Sequence, residues 1–347
     1  MTPQQELAAA GLAAIGGSWF LTALVRSYAL RTQLLDVPNE RSSHTVPTPR
    51  GGGMAIVLTC LACLAALGWT GRLESRLVLA GLGAGSLVAL LGYLDDRSPL
   101  PARWRFLGHG AAVVWVVALM GPIPSVPVLG VMLDLNVMGP VLCWIFAVWM
   151  INLFNFMDGI DGIAGVQTVC AAVGGAALWW AVGRGTGWLA ALALAAATAG
   201  FLVWNFPPAK IFMGDAGSGF LGLMMALLAL WSAQAQPVLL YCWFILVGVF
   251  MVDATTTLVR RVRRGERFFE AHRAHAYQYA SRRLGGHRPV TLACLAINLL
   301  WLWPWAALVA WGWVDGMVGL ALAYAPLIWL VFHFHAGDRA AQARPIA

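Results

Sequence analysis

The sequence predicts an all-α, polytopic membrane protein that crosses the bilayer about eleven times. Of its 347 residues, 60% are hydrophobic and only 11% are charged, whereas charged residues make up about a quarter of a typical soluble domain. Apolar runs close to the ~20 residues that a membrane helix needs recur along the chain. Because an unpaired backbone group is costly in hydrocarbon, and because the alternation of barrel strands is absent, these runs are expected to be helices.

The whole chain, 1–347, is predicted to form one membrane-embedded domain. Pro207 and Pro208 end the seventh apolar run, because proline ends a helix. In chain order, the predicted spans lie at about 7–25, 52–70, 77–94, 106–121, 138–154, 163–182, 187–204, 217–234, 237–258, 290–311 and 316–334.

The basic residues predict the orientation, because cytoplasmic loops of membrane proteins are enriched in Lys and Arg. With the N-terminus in the periplasm and the C-terminus in the cytoplasm, only Arg72, Arg76 and Arg184 of the 22 Lys and Arg residues fall outside. The excess positive charge, +7 in total, is then expected at the cytoplasmic ends of the spans, beside anionic lipid of the bacterial inner membrane. No nucleic-acid partner is expected, because there is no separate soluble basic domain to hold one.

Acidic residues gather at the predicted inner ends of the spans. The members of this group are Asp95, Asp96, Asp158, Asp161, Asp215 and Asp253. Acids near a membrane are costly, so the group indicates a functional site at the depth of the lipid head groups. A transporter would place ionisable groups nearer the midplane, often on broken helices. The pattern favours chemistry at the cytoplasmic face, and a transporter or scramblase is the non-enzymatic alternative.

The adjacent Asp95 and Asp96 end the third span and repel each other, so they require a cation or a shared proton nearby. Two interpretations stay open: a solvated helix end paired with Arg97, or an acid–base pair or magnesium-associated site. In the next motif, Asn152, Asn155 and Asp158 are spaced three residues apart, so one helix edge presents three oxygen-bearing side chains.

Two further inner loops carry candidate ligands. Asp215 stands between Gly214 and Gly217 at a predicted helix start, where backbone N–H groups suit a phosphate and the carboxylate suits a hard cation. A simple helix cap at Asp215 is the alternative. In the longest loop, His272 and His275 flank Arg273, a combination suited to gripping a diphosphate. The basic run 260–267 before it is also explained by membrane anchoring.

These motifs, in this order, resemble those of the polyprenyl-phosphate N-acetylhexosamine-1-phosphate transferases, the MraY/WecA type also called glycosyltransferase family 4. The matching pieces are Ser42-Ser43-His44, Pro47-Thr48-Pro49-Arg50-Gly51-Gly52-Gly53, Asp95-Asp96, the segment 152–165, the segment 212–218 and the loop with His272 and His275. The likeness covers about residues 38–280, the motif-bearing core. The run 272–278 is most similar to that of members that initiate O-antigen synthesis.

The resemblance implies transfer of N-acetylhexosamine 1-phosphate from a UDP-sugar to undecaprenyl phosphate, with release of UMP. It implies Mg²⁺ as cofactor, which Mn²⁺ can replace, and a homodimer. The product would start O-antigen or a related cell-surface polysaccharide, and which amino sugar is transferred stays open. CDP-alcohol phosphotransferases are the nearest other class, but only the Asp158-Gly159-Ile160-Asp161-Gly162 run is similar to them.

The resemblance also implies a role for each candidate residue. Asn155 and Asp215 match metal ligands, Phe212 an aromatic that stacks on uracil, and Asp161 a carboxylate that hydrogen-bonds the base. Asp95, Asp96 and Asp158 are the catalytic candidates, with Asp95 the better candidate base. The remaining substrate-binding candidates are His272, Arg273 and His275 for the diphosphate, and His44 and Arg50 for the lid or the sugar side.

Overall fold

Helices account for most of residues 2–38, 46–121, 125–182, 185–266 and 273–338, the part of the chain that this computed structural model describes. In chain order they are α1 Pro3–Arg31, α2 Gly53–Trp69, α3 Ser75–Arg97, α4 Ala102–Met120, α5 Met138–Met157, α6 Ile163–Ala181, α7 Trp188–Asn205, α8 Asp215–Ala235, α9 Val238–Leu246, α10 Gly248–Arg263, α11 Ala276–Arg283, α12 His287–Ile297, α13 Trp303–Ala310 and α14 Gly316–His333. A π-helical turn, Asn298–Leu302, joins α12 to α13.

Two short antiparallel strand pairs interrupt the helices. The strand β1, Leu35–Asp36, pairs with β2, Thr48–Pro49. The strand β3, Val126–Val128, pairs with β4, Val131–Leu133. The second pair turns at Leu129 and Gly130, which both have positive φ, as a two-residue hairpin turn of this hand requires. Because the strands are only two or three residues long, the predicted all-α class is confirmed.

The membrane spans follow the predicted pattern with one bend. In the described residues, eight helices are long and apolar enough to cross a membrane, and nine if α9 and α10 together form one span. A helix occupies each of the eleven predicted regions, although α2 has only 17 residues. The number eleven and the orientation of the termini stay predictions. The predicted region 237–258 is bent by 75° between α9 and α10.

A buried amide satisfies the backbone at this bend. Where the helix breaks, the carbonyl of Leu246 accepts a hydrogen bond of 2.7 Å from Nε2 of Gln167, on α6. Gln167 also exchanges hydrogen bonds with Asn298, at the start of the π-helical turn. A freed backbone group inside an apolar bundle needs such a partner. The bend is therefore built into the packing of α6 against α9 and α12.

Helix α8 lies at the centre of the bundle, and every residue of its apolar stretch is buried. Its first turn packs directly against two other helices because they present glycine there. A side chain at Gly92 of α3 would collide with the backbone of Asp215 and Ala216, and one at Gly53 of α2 would collide with Gly217. These close approaches hold the start of α8 at a fixed position beside the end of α3.

Backbone hydrogen bonds tie two of the sequence motifs together at the same end of the bundle. Phe212 donates its N–H to the carbonyl of Pro49 at 2.8 Å, and Gly52 returns a bond to the carbonyl of Phe212 at 2.9 Å. Gly53 donates to the carbonyl of Met213 at 2.8 Å. The segment after β2 and the segment before α8 therefore form one continuous platform.

Candidate active site

The two adjacent acids at the end of α3, Asp95 and Asp96, contact different parts of the protein. Asp95 accepts a hydrogen bond of 2.6 Å from the N–H of Leu100, and its Oδ2 lies 2.7 Å from Nη1 of Arg105 on α4. Asp96 is buried, and its carboxylate accepts the N–H groups of Asp215 and Ala216 at 3.1 and 3.3 Å. Asp96 therefore caps α8, where a negative charge favours the helix N-terminus. Asp95 is left facing the cavity beside Arg105.

Asp215 and Asn155, the two predicted metal ligands, are in direct contact. Nδ2 of Asn155 lies 2.8 Å from Oδ1 of Asp215 and 3.2 Å from Oγ of Ser218. The other oxygen of Asp215 lies 3.9 Å from Nη1 of Arg105. Four helices, α3, α4, α5 and α8, thus bring Asp95, Arg105, Asn155 and Asp215 to one point.

These residues line a cavity of about 110 Å³ between α3, α4 and α5. Its walls are partly apolar, from Leu91, Phe106 and Ile151. His109 contributes a ring whose Nδ1 has no hydrogen-bond partner among the described residues. Asn152 also lines the cavity, with its amide bonded to the carbonyl of Val148 in its own helix at 2.7 Å. The cavity therefore combines charged and amide side chains with partly apolar walls.

Asp158 and Asp161 follow α5, as the motif predicts. Burial raises the pKa of Asp158 well above its ordinary value, and the charges of Asp215, Asp96 and Asp161 raise it further. Asp158 therefore completes a group of acids that repel one another unless a cation lies between them.

Asp161 lies in a second, open cleft of about 590 Å³ together with Thr48, Phe212 and His287. Its Oδ2 accepts the N–H of Ala209 at 2.9 Å, and its Oδ1 lies 3.0 Å from Nδ1 of His287. Asn205 accepts the N–H of Gly162 and donates to the carbonyl of Ile211, which fixes the loop before α6 against the one before α8.

His275 lies at the buried start of α11. Its Nδ1 lies 3.2 Å from Oδ1 of Asp253, whose carboxylate also accepts the N–H groups of Ala276 and Tyr277 at 3.0 Å each. The hydroxyl of Tyr277 donates to the carbonyl of Phe156 at 3.0 Å. These contacts attach the loop after residue 272 to the end of α5, so Asp253, predicted within the acid group, holds this loop instead of facing the cavity.

Two predicted residues, His44 and His272, lie outside the described residues. Arg50 is placed: its guanidinium donates to the backbone carbonyl of Asp96. The structure adds residues that sequence reasoning did not single out. Arg105 had been counted only as an inner-loop charge, although its place one turn into the helix after the acid pair is a signal for it. His287 carries no such signal, because only the fold brings it to Asp161.

The donor groups suit an ion such as Mg²⁺, which takes part of its coordination from water and substrate, better than they suit a metal held by protein ligands alone. Among the described residues, no three His, Cys, Asp or Glu side chains form a metal-binding group by themselves. Mg²⁺ is commonly held by one or two carboxylates, with waters and substrate phosphates completing its octahedron. Asp215 supplies a carboxylate, and a half-turn of the Asn155 amide would add its oxygen, so these residues fit the ion.

Comparison with known proteins places the chain in a family. The model of glycosyl transferase family 4 matches residues 78–233. A decaprenyl-phosphate N-acetylglucosaminephosphotransferase of Mycobacterium leprae is 33% identical over 89% of this chain and 83% of its own length. A probable undecaprenyl-phosphate N-acetylglucosaminyl 1-phosphate transferase of Bacillus subtilis is 33% identical, over 70% of this chain and 68% of its own.

A third relative, an undecaprenyl-phosphate alpha-N-acetylglucosaminyl 1-phosphate transferase of Thermotoga maritima, is 27% identical over 82% of this chain and 87% of its own length. These matches extend over most of the helical bundle, and the family match includes both Asp95 and Asp215. The chain therefore belongs to glycosyl transferase family 4, as a transferase of the polyprenyl-phosphate sugar-1-phosphate type.

Proposed function

We propose that the chain transfers N-acetylglucosamine 1-phosphate from UDP-N-acetylglucosamine to undecaprenyl phosphate and releases UMP. The observation that carries the proposal is the cluster of Asp95, Arg105, Asn155 and Asp215 in a cavity with apolar walls. Three relatives are named for N-acetylglucosamine and for a polyprenyl phosphate, which supports this donor and this class of acceptor.

In the proposed reaction, an oxygen of the acceptor phosphate attacks the β-phosphorus of the UDP-sugar. The new phosphorus–oxygen bond forms as the bond from the β-phosphorus to the bridging oxygen breaks, and that oxygen leaves on UMP. A phosphate monoester is already mostly ionised near neutral pH, with a second pKa of roughly 6, so the acceptor needs little help from a base. The main task of the site is to bring anions together and hold them in line.

Arg105 is suited to that task on the acceptor side. Its guanidinium lies 2.7 Å from Asp95, which orients it, and 3.9 Å from Asp215, so it lies between these two carboxylates in the cavity. A guanidinium binds phosphate through two parallel hydrogen bonds. We infer that Asp95 acts chiefly by orienting Arg105, and that Asp96 acts by fixing the first turn of α8.

The donor would lie in the adjoining cleft. Phe212 would stack on the uracil, and Asp161, already held by Ala209 and His287, would accept a hydrogen bond from the base. The diphosphate would then extend toward Asp215, with Arg50, Arg273 and His272 on its path and with His275 anchoring the loop. His44 would lie on the sugar side.

Asp215 and Asn155 would hold Mg²⁺, or Mn²⁺ in its place. Bound there, the ion would neutralise the diphosphate and stabilise the charge that develops on UMP. Asp158 faces the same group of acids and would stay close to the ion without being a primary ligand.

The predicted setting completes the proposal. The active site would face the cytoplasm at the bacterial inner membrane, and the lipid product would start O-antigen or a related polysaccharide, in keeping with the likeness of the 272–278 run to O-antigen-initiating members. A homodimer also stays a prediction from the resemblance.

The test is release of UMP by purified protein given Mg²⁺, undecaprenyl phosphate and a panel of UDP-N-acetylhexosamines. We expect release with UDP-N-acetylglucosamine, loss of release when EDTA is added, and recovery with excess Mg²⁺. Release with a different amino sugar alone would correct the donor, and no release with any donor would overturn the proposed reaction. Omission of the lipid acceptor is the control for simple hydrolysis.

A further inference from the structure

Arg26 on α1, Trp204 on α7 and Lys210 in the loop after α7 form a cationic–aromatic cluster, and none of the three lines either site cavity. The Cζ of Arg26 lies 5.9 Å from the centroid of the Trp204 ring, and Nζ of Lys210 lies 5.5 Å from the same centroid. Nε of Arg26 donates to the carbonyl of Lys210 at 3.1 Å. The indole N–H of Trp204 donates to the carbonyl of Trp19, which fixes the ring.

The charges of the cluster are not balanced within the protein. In the part of the chain that the structure describes, neither Arg26 nor Lys210 has a carboxylate within ion-pair distance. Two cations that share one indole ring repel each other, and the ring attracts each of them only weakly at an exposed site. An anion bound between them would remove this repulsion, so the cluster is suited to a singly charged phosphate group.

The surface beside the cluster is apolar. Trp19, Phe20 and Leu24 on α1 and Val203 on α7 are all exposed, in helices whose composition fits a membrane span. The Trp19 ring packs against that of Trp204, with centroids 5.8 Å apart, so the charged and apolar parts are continuous. Trp at the head-group level and basic residues beside anionic lipid are typical of membrane interfaces. Free phosphate would use only the cations, whereas a phospholipid would use both parts.

We propose that this cluster binds one anionic phospholipid, with its phosphate between Arg26 and Lys210 and its acyl chains along α1 and α7. The site is distinct from the proposed donor and acceptor cavities. Lys210 nevertheless follows Ala209, whose N–H is bonded to Asp161, and precedes Phe212 by two residues. The lipid would therefore hold the outer side of the segment that carries the donor cleft.

The test measures lipid retained by the full-length protein in native mass spectrometry, with phosphatidylglycerol and phosphatidylcholine as competing probes. We expect wild type to retain one phosphatidylglycerol that Arg26→Gln/Lys210→Gln lacks, with a preference over phosphatidylcholine that falls about tenfold in the variant. Arg103→Gln is the matched control, because Arg103 lies 5.8 Å from the Trp104 ring centroid, and no second described cation is found over that ring. This control should retain the lipid.

Three results would overturn the proposal: unchanged retention in the double variant, equal loss in Arg103→Gln, or displacement of the lipid by excess inorganic phosphate. Lys210→Gln alone guards against misfolding, because the exposed Lys210 side chain makes no hydrogen bond in the described structure. It should melt like wild type and still retain less lipid. Because no sugar donor is needed, the outcome does not depend on the proposed reaction.

Discussion

Nη1 of Arg105 lies 2.7 Å from Oδ2 of Asp95, and the same nitrogen lies 3.9 Å from Oδ2 of Asp215. The first contact joins α4 to the end of α3, and the second reaches the start of α8. One cation therefore links a carboxylate proposed to position the acceptor with one proposed to bind the metal. This arrangement makes Arg105 the most informative single residue to change.

Replacing Arg105 with Gln is expected to lower turnover about 100-fold, the usual effect of removing one preorganised charge from a reacting centre. Arg105→Lys should recover part of the activity, because it keeps the charge and loses the paired geometry. The measurement is UMP release at saturating donor with varied undecaprenyl phosphate. Arg103→Gln, two residues earlier in the same helix, should be close to wild type. Equal loss in both variants would argue for a general effect of surface charge.

Asp215→Asn is expected to abolish turnover nearly completely while the protein stays folded. The amide keeps the shape of the side chain but removes the negative charge that a hard cation requires. UMP release across a Mg²⁺ titration measures the effect, and melting in detergent reports the fold. Asp134→Asn, in the exposed loop after β4, is the control. Activity within a few-fold of wild type would remove Asp215 from the metal site.

Gly92→Ala tests whether the packing of α3 against α8 positions Asp215. The added methyl group would meet the backbone of Asp215 and Ala216, so it should destabilise the protein by roughly 1–3 kcal/mol and lower kcat more than it raises KM. Gly11→Ala adds the same group to α1, where no described atom lies within 4 Å, and should neither destabilise the protein nor change kcat or KM. Full activity of Gly92→Ala would show that the start of α8 can shift freely.

Asp253→Ala tests the attachment of the loop that carries His275. Removing the carboxylate leaves the N–H groups of Ala276 and Tyr277 buried without their acceptor. Breaking such a buried arrangement typically costs about 3 kcal/mol or more. We expect a lower melting temperature and a higher KM for the UDP-sugar. Thr257→Val, which loses only one hydrogen bond to Asp253, should have a much smaller effect. An unchanged KM in Asp253→Ala would separate the loop from donor binding.

Asp158 predicts a pH dependence of stability. Burial and neighbouring carboxylates raise the pKa of Asp158 in the folded protein. When the pKa of an acid is higher in the folded state, the acid makes its full contribution to the free energy of unfolding at pH values below its unfolded-state pKa. This contribution is lost as the pH rises through the folded-state pKa. In EDTA, the melting temperature of wild type should therefore fall relative to that of Asp158→Asn as the pH rises from about 4.

The comparison is made by thermal melting of both proteins across this range, with and without Mg²⁺. The difference should grow with pH until Asp158 is ionised, and Mg²⁺ should reduce it by offsetting the repulsion. Asp134→Asn should follow wild type at every pH. A difference between wild type and Asp158→Asn that does not change with pH would contradict the raised pKa.

The helices were predictable because the hydrophobicity of a span is a local property of the sequence. The bend between α9 and α10 was not, since it depends on Gln167 reaching the carbonyl of Leu246 from another helix. Asp95 and Asp96 were predicted to act as a pair, but in the structure Asp96 accepts a hydrogen bond from the backbone at the start of α8. Adjacent residues on a helix point in different directions, and only the packing decides what each one faces.

Asn155 and Asp215 were matched to metal ligands only through the family resemblance of their motifs, and the structure places the two side chains in contact. Arg105 was not singled out, because a basic residue at an inner span end is also explained by the orientation of the protein in the membrane. Asp253 was predicted at an inner span end, but its partners at the start of α11 depend on how α11 packs against α10. Tertiary contacts, not residue type, separate the acids that hold the fold from those proposed to act in the reaction.

Because the apolar stretch of α8 is buried among other helices, a change in bilayer thickness is expected to reach it mainly through the helices around it. Hydrophobic mismatch is absorbed by tilting and by snorkelling side chains at outer helices such as α1 and α14. Asp215 would then keep its depth relative to Asp95 and Asn155 in membranes of different composition. The proposed reacting centre would then keep its geometry while the bilayer in which its lipid acceptor diffuses changes.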